Sequence, residues 1–212
     1  LRRYWPTNPK CLVISSDPEN EVVNDSFKEI FKQAFKMSNF ELDKIDICDK
    51  RNEDKLFDMI YDYNILLFAG GHVPTQNEFF KRIHLKELMK DYKGIVIGIS
   101  AGTMNCADVV YAQPELEGEA VDPKYKRYLD GLNLTKINIL PHFQCLKNIT
   151  LDGLRVLEDI SLEDSKTRPF YALVDGAYIL IDENKSTLYG EAYLIKDGTI
   201  TQVCENNKSI EL

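Results

Sequence analysis

Ser100 stands between Gly98 and Gly102 in the stretch GIVIGISAGTMNCAD, residues 94–108. A serine hydroxyl is a weak nucleophile. It needs exposure, a base within reach, and donors for the oxyanion that forms when it attacks a carbonyl. The spacing G-x-S-x-G suits the first need. An apolar β-branched run precedes the serine and a small-residue turn follows it, so the serine falls at a strand-to-helix joint. There the glycines let neighbouring backbones approach, and the serine is held strained with its hydroxyl exposed. The amide of Ala101 is one natural oxyanion donor, and the N-terminus of the following helix favours negative charge. The same pattern also occurs in plain Gly-flanked turns, and its place directly after a strand is what gives it meaning.

The chain has three histidines that could act as the base. His84 lies beside Lys81 and Lys86 in a helical stretch, which suggests a surface role. His72 follows Gly70 and Gly71 at the end of an apolar run, where it would line the same cleft. His142 follows INILP, again at a strand end, and fits either a base or a hydrogen-bonded structural residue. Gly70 and Gly71 either supply a second oxyanion amide or turn the chain into the next helix. Two acids could orient the histidine. Asp175 comes after YALV, where a plain Asp-Gly turn is the simpler alternative, and Glu115 lies in YAQPE, where it could be an ordinary loop carboxylate. No HExxH or clustered Cys/His site occurs, so neither metal nor cofactor is expected.

These residues need elements to position them. Apolar runs at 11–16, 64–71 and 94–99 and an alternating stretch at 40–48 read as strands. Helical spacing marks 21–38, 53–61 and 75–91, and a further helix is expected around 148–159 after a strand at 137–143. Such alternation predicts a three-layer α/β/α fold with a largely parallel central sheet. Beyond residue 170, DG, DENK and KDG punctuate short strands, so the C-terminal portion adds antiparallel strands to what reads as a single domain over 1–212.

Composition narrows the functional classes. The formal net charge of −8 comes without a basic block, which argues against nucleic-acid and anionic-membrane surfaces. Five cysteines without a CxxC pair fit reduced, mostly buried thiols better than a disulfide framework. No apolar run reaches the ~18 residues of a membrane helix. The start, LRRYWPTNPK, lacks the apolar core of a signal peptide, and the missing initiator Met reads as trimming. A cytoplasmic protein is expected, as a monomer or small homo-oligomer.

The stretches LLFAGGHVPT, GIVIGISAGTMNCADVVYAQPE, INILPHF and ALVDGAYIL resemble those of peptidase E, the serine or aspartyl dipeptidases of the class I glutamine amidotransferase-like fold, and occur in that family's order. The resemblance implies Ser100 as nucleophile, His142 as general base and Asp175 as third triad member, where the family often has Glu. It also places Glu115 at a further family carboxylate, for orienting the histidine or holding a substrate amine. Gly70, Gly71 and Ala101 would line the oxyanion hole. The implied activity is hydrolysis of short peptides, with Asp-Xaa as one substrate class. Two departures bear on the substrate-binding residues. His72 stands where the family usually has Asn. The arginine of aspartyl-specific members, in a Gly-Glu-Thr-Arg context, has only Arg155 nearby, in NITLDGLRVLED. The alternatives are another serine hydrolase on this scaffold, cyanophycinase-like or an amidase, and an inactive module binding a small molecule or peptide. Glutamine amidotransfer is disfavoured, because its nucleophile is a cysteine and this position is Ser100.

Overall fold

Three apolar runs and the alternating stretch become the parallel strands β1 (Lys10–Ile14), β2 (Lys44–Cys48), β3 (Ile65–Phe68) and β4 (Ile95–Gly98), in the order β2-β1-β3-β4. The computed structural model describes residues 1–182 and 185–212. By contacts the chain divides into two units, Leu1–Asp108 with Asp130–Leu134, and Val109–Leu129 with Thr135–Leu212.

The first unit is a layered α/β structure. Alternate residues of a strand face opposite ways, and both faces of this sheet are covered. Cys11, Val13, Ile45, Ile47, Ile65 and Leu67 form one buried cluster, against which Phe31 and Phe35 of α1 (Glu21–Met37) and Trp5 pack. Leu12, Ile14, Leu66 and Phe68 point the other way. They meet Leu56 of α2 (Leu56–Met59), Phe79 and Phe80 of α3 (Val73–Arg82), and Leu85 and Leu88 of α4 (Leu85–Leu88). Such double coverage is why β1, β3 and β4 read as continuous apolar runs. Asn20 caps α1, its side chain accepting from the Val23 amide at 3.3 Å. Val23 and Ile30, which share the apolar spacing of this helix, are exposed.

Two expectations change here. The helix expected over 75–91 is two helices, α3 and α4, broken at His84, which takes a left-handed φ of 51°. The break turns the chain so that Leu85, Leu88 and Met89 all reach the same core as Phe79 and Phe80. The helix around 53–61 is α2 flanked by 3-10 turns. The one-turn helix α5 (Ala101–Met104) follows β4.

The second unit begins with the paired strands β5 (Val109–Tyr111) and β6 (Tyr128–Asp130). After β7 (Ile139–Leu140) and α6 (Phe143–Leu146), the stretch expected to be helical over 148–159 is a hairpin, β8 (Thr150–Leu151) and β9 (Leu154–Arg155). Asp152 and Gly153 take φ of 52° and 83° in its turn, and no helix passes through two successive positive φ angles. A π-helical turn at Val156–Ser161 and α7 (Leu162–Asp164) come only afterwards. The strand expected over 137–143 covers two residues and stops before Pro141, which has no N–H for a ladder.

The remaining strands are β10 (Phe170–Leu173), β11 (Tyr178–Asp182), β12 (Lys185–Tyr189), β13 (Ala192–Lys196), β14 (Thr199–Cys204) and β15 (Ser209–Glu211). They form two sheets, β14-β13-β10-β7 and β11-β12-β15, antiparallel except for the β10–β7 pair. The KDG signal closes the β13–β14 hairpin, with Asp197 and Gly198 at φ 51° and 75°. The DG at 175–176 closes no hairpin: it carries the chain from β10 in one sheet to β11 in the other. The middle two residues of the DENK signal, 183–184, lie outside the described residues, and Asp182 pairs with Lys185. Among the described residues, no helix is long and apolar enough to cross a membrane.

Candidate active site

The register of the parallel sheet brings three loops to one end. Ile14 pairs with Phe68, and Phe68 with Gly98, so Ser16, Gly70 and Ser100 all follow the carboxyl ends of adjacent strands. Ligands gather at that end of an open parallel sheet. Ser100 itself has φ 50° and ψ −115°. The flanking glycines have a steric cause. A Cβ on Gly102 would lie 2.2 Å from the Phe68 carbonyl oxygen, and one on Gly98 would lie 2.7 Å from the Thr103 Cα. The turn after Ser100 therefore rests directly on the backbone of β3. Gly70 faces Ser100, since a Cβ there would lie 3.3 Å from the Ser100 Cβ. α5 is a single turn, so its dipole is small, and the amides themselves are the useful donors.

Buried amides lock the Gly70–Gly71 loop to the segment after Ser100. Gln76 Nε2 donates to the Ala69 carbonyl at 2.7 Å, and Asn105 Nδ2 donates to Gln76 Oε1 at 3.1 Å. Asn77 Nδ2 donates to Asn105 Oδ1 at 2.9 Å. Gln76, Asn77 and Asn105 are buried, so each lost partner leaves a group desolvated and unpaired. Asn105→Leu is expected to destabilise the protein by about 1–3 kcal/mol. A urea unfolding curve checks this: the midpoint should fall with an unchanged slope.

On the second unit, the structure brings His142 and Asp175 together. His142 Nδ1 lies 2.6 Å from Asp175 Oδ1. An ionised carboxylate only accepts, which puts the imidazole proton on Nδ1 and leaves Nε2 with its lone pair. His142 sits at φ 58° immediately before α6, and Gln144 on that helix accepts a hydrogen bond from the Asp175 amide at 3.2 Å. Both partners are about half exposed, with side chains at 51% and 58%. Their contact therefore orients the ring more than it stabilises the fold.

Glu115 lies in the loop after β5. Glu119 accepts from the Glu115 and Leu116 amides at 2.9 and 3.0 Å. Asp152, in the β8–β9 turn, accepts from the Gly118 and Ala120 amides at 2.8 and 3.0 Å. The hairpin that replaces the expected helix thus braces the Glu115 loop. Crowding by surrounding protein pushes the Glu115 pKa up to about 7, the Glu119 carboxylate adds to this, and His142 opposes it. By surface area Glu115 remains exposed, so this carboxyl is open to solutes while short of full hydration.

The other sequence candidates have the following surroundings. His72 Nδ1 is 2.8 Å from Thr75 Oγ1, a local contact at the start of α3. Arg155 donates to Asp159 through Nε at 3.0 Å and Nη2 at 2.6 Å, so its fork is engaged by an internal carboxylate. His84 is exposed on the first unit. Cys106 Sγ donates to the Gly102 carbonyl at 3.2 Å, and burial pushes its thiol up to about 12, as expected of a packing residue. Among the described residues, no group of three or more His, Cys, Asp or Glu could hold a metal ion. Sequence reasoning missed Ser16, Gln76, Asn105 and Gln144.

Comparison with known proteins bears on most of the chain. The model for peptidase family S51 matches residues 18–189. A crystal structure of a candidate peptidase E from Listeria monocytogenes EGD-e is similar in fold, with a TM-score of 0.52 and 16% identity over 94% of this chain and 89% of that one. No curated protein matches the chain. The family match spans most of the sequence, including Ser100, His142 and Asp175. The chain therefore belongs to peptidase family S51, the peptidase E family that its motifs resemble.

Proposed function

We propose that the protein is a serine-type peptidase acting on short peptides that carry a free N-terminal amine. The observation that carries this is the backbone of Ser100. A non-glycine residue at φ 50°, ψ −115° costs about 1–3 kcal/mol, and such strain collects where a side chain must be presented. A plain turn would use glycine there. Ser100 is the nucleophile of this strand-to-helix elbow. His142, held by Asp175, is the general base. Ser100 Oγ bonds to the scissile carbonyl carbon while its proton passes to His142 Nε2. Backbone amides at Gly71 and Ala101 hold the oxyanion. The intermediate collapses as His142 returns the proton to the leaving amine. Water then attacks the acyl-enzyme, giving its proton to His142, and the freed acid leaves Ser100 reprotonated. A panel of X-Leu and Asp-X dipeptides tests the activity, with a fluorophosphonate label to locate the nucleophile. Cleavage of several X-Leu peptides and labelling at Ser100 are expected. No turnover across the panel, or labelling elsewhere, overturns the proposal. Aspartyl selectivity has no support from Arg155, which Asp159 engages.

Glu115 is proposed as the partner of the substrate amine. It gains charge as pH rises through about 7, while a peptide α-amine loses its proton near ~8. Both are charged only between those values, so KM should be lowest there. It should rise on the acid side as Glu115 protonates and on the alkaline side as the amine deprotonates. Glu115→Gln should raise KM about three- to fivefold at the minimum, a modest change set by its exposure. It should also remove the acid limb of the KM–pH profile. An unchanged acid limb in the variant would rule this role out.

A further inference from the structure

We propose that Ser16 is a positioning residue for the oxyanion site. Its hydroxyl sets the orientation of the Gly70–Gly71 peptide and so aims the Gly71 N–H. This rests on the assignment, made above, of the Gly71 amide as an oxyanion donor. Ser16 is 3% exposed and follows β1, and its Oγ donates to the Gly70 carbonyl at 2.6 Å. In a trans peptide the C=O and N–H point opposite ways. With the Gly70 oxygen turned into Ser16, the Gly71 N–H is presented on the peptide's other edge. The next carbonyl back is fixed too, since Gln76 holds the Ala69 oxygen at 2.7 Å and the Ala69 amide donates to Ile14 at 3.1 Å.

Glycine is required on both sides of that peptide. A Cβ on Gly71 would lie 2.4 Å from Ser16 Oγ, and one on Gly70 would press on Ser100. A peptide between two glycines is the easiest kind to flip, so something else must hold it. Ser16 does so from a rigid base. The neighbouring Ser15 donates to Asn24 Oδ1 at 2.7 Å, and Asn24 Nδ2 donates to Asp49 at 3.3 Å and to the Asp17 carbonyl at 3.0 Å. Asp49 is fully buried and takes Arg51 Nη2 at 2.6 Å. This polar chain ties the loop bearing Ser16 to β2 and α1. An oxyanion donor accelerates a reaction only if it is already aimed when charge develops.

The test uses Ser16→Ala and the equal-volume pair Ser16→Thr and Ser16→Val, which differ only in the hydroxyl. Each is assayed for dipeptide turnover and for binding of 1-aminoethylboronic acid, whose tetrahedral adduct places an oxygen where the oxyanion sits. Ser16→Ala should lower kcat by ~10-fold or more with KM nearly unchanged, since a whole oxyanion donor is worth about 10²–10³. Boronate affinity should fall by a similar factor. Ser16→Thr should exceed Ser16→Val in both. Equal behaviour of Thr and Val, wild-type kinetics in Ser16→Ala, or failure of Ser16→Ala to fold would each overturn the proposal. If wild-type protein neither turns over dipeptides nor binds the boronate, the oxyanion assignment itself has failed.

Discussion

Ser100→Ala is expected to reduce kcat by ~10⁴-fold or more while leaving the fold intact. The magnitude follows from chemistry: without an attacking oxygen there is no acyl-enzyme, and only rate assistance from binding and oxyanion contacts survives. Intact folding follows from geometry. Alanine carries a Cβ as serine does, so the strain at φ 50° is neither relieved nor increased. The thermal midpoint should stay within a degree or two of wild type, and dipeptide binding should persist. Continuous assay of amine release beside a thermal melt checks both halves. A fully active Ser100→Ala protein would overturn the serine mechanism, and an unfolded one would make Ser100 a structural residue.

Asp175→Asn should lower kcat by about 10⁴, the scale seen when the orienting acid of a serine triad becomes an amide. The carboxylate accepts from His142 Nδ1, whereas an asparagine amide can donate to that nitrogen and hold the ring in the opposite tautomer. Nε2 would then carry the proton and could not act as a base. Because the pair is half exposed, the thermal midpoint should barely move. The two acids are thereby separable. Asp175→Asn acts on kcat with KM preserved, and Glu115→Gln acts on KM and its pH profile. If Glu115→Gln abolishes kcat while Asp175→Asn is mild, the two roles are exchanged.

The segment around Ser100 was legible because its signals are local. An apolar run, two glycines and small residues sit within a few positions of one another. The parallel strands were legible for the same reason, as burial on both faces leaves an unbroken apolar run. The break at His84 was not, because neither Gly nor Pro marks it, and only the packing of Leu85 and Leu88 demands it. The β8–β9 hairpin differs from the expected helix because its Asp152-Gly153 turn takes two positive φ angles. Ile149, Leu151, Leu154, Val156 and Leu157 have a spacing that also suits a helix. Ser16, Gln76, Asn105 and Gln144 carry no local mark. Ser16 meets Gly70 across 54 positions and Gln144 meets Asp175 across 31, so their roles exist only once the chain is folded.

The backbone at Ser100 has a consequence on the timescale of lineages. Glycine would relieve the left-handed strain there at no steric penalty. In a chain drifting without use for the hydroxyl, replacement at this position would be favoured by stability alone. Serine at this position therefore sits where stability alone would choose glycine, which is what the proposed role of its oxygen requires.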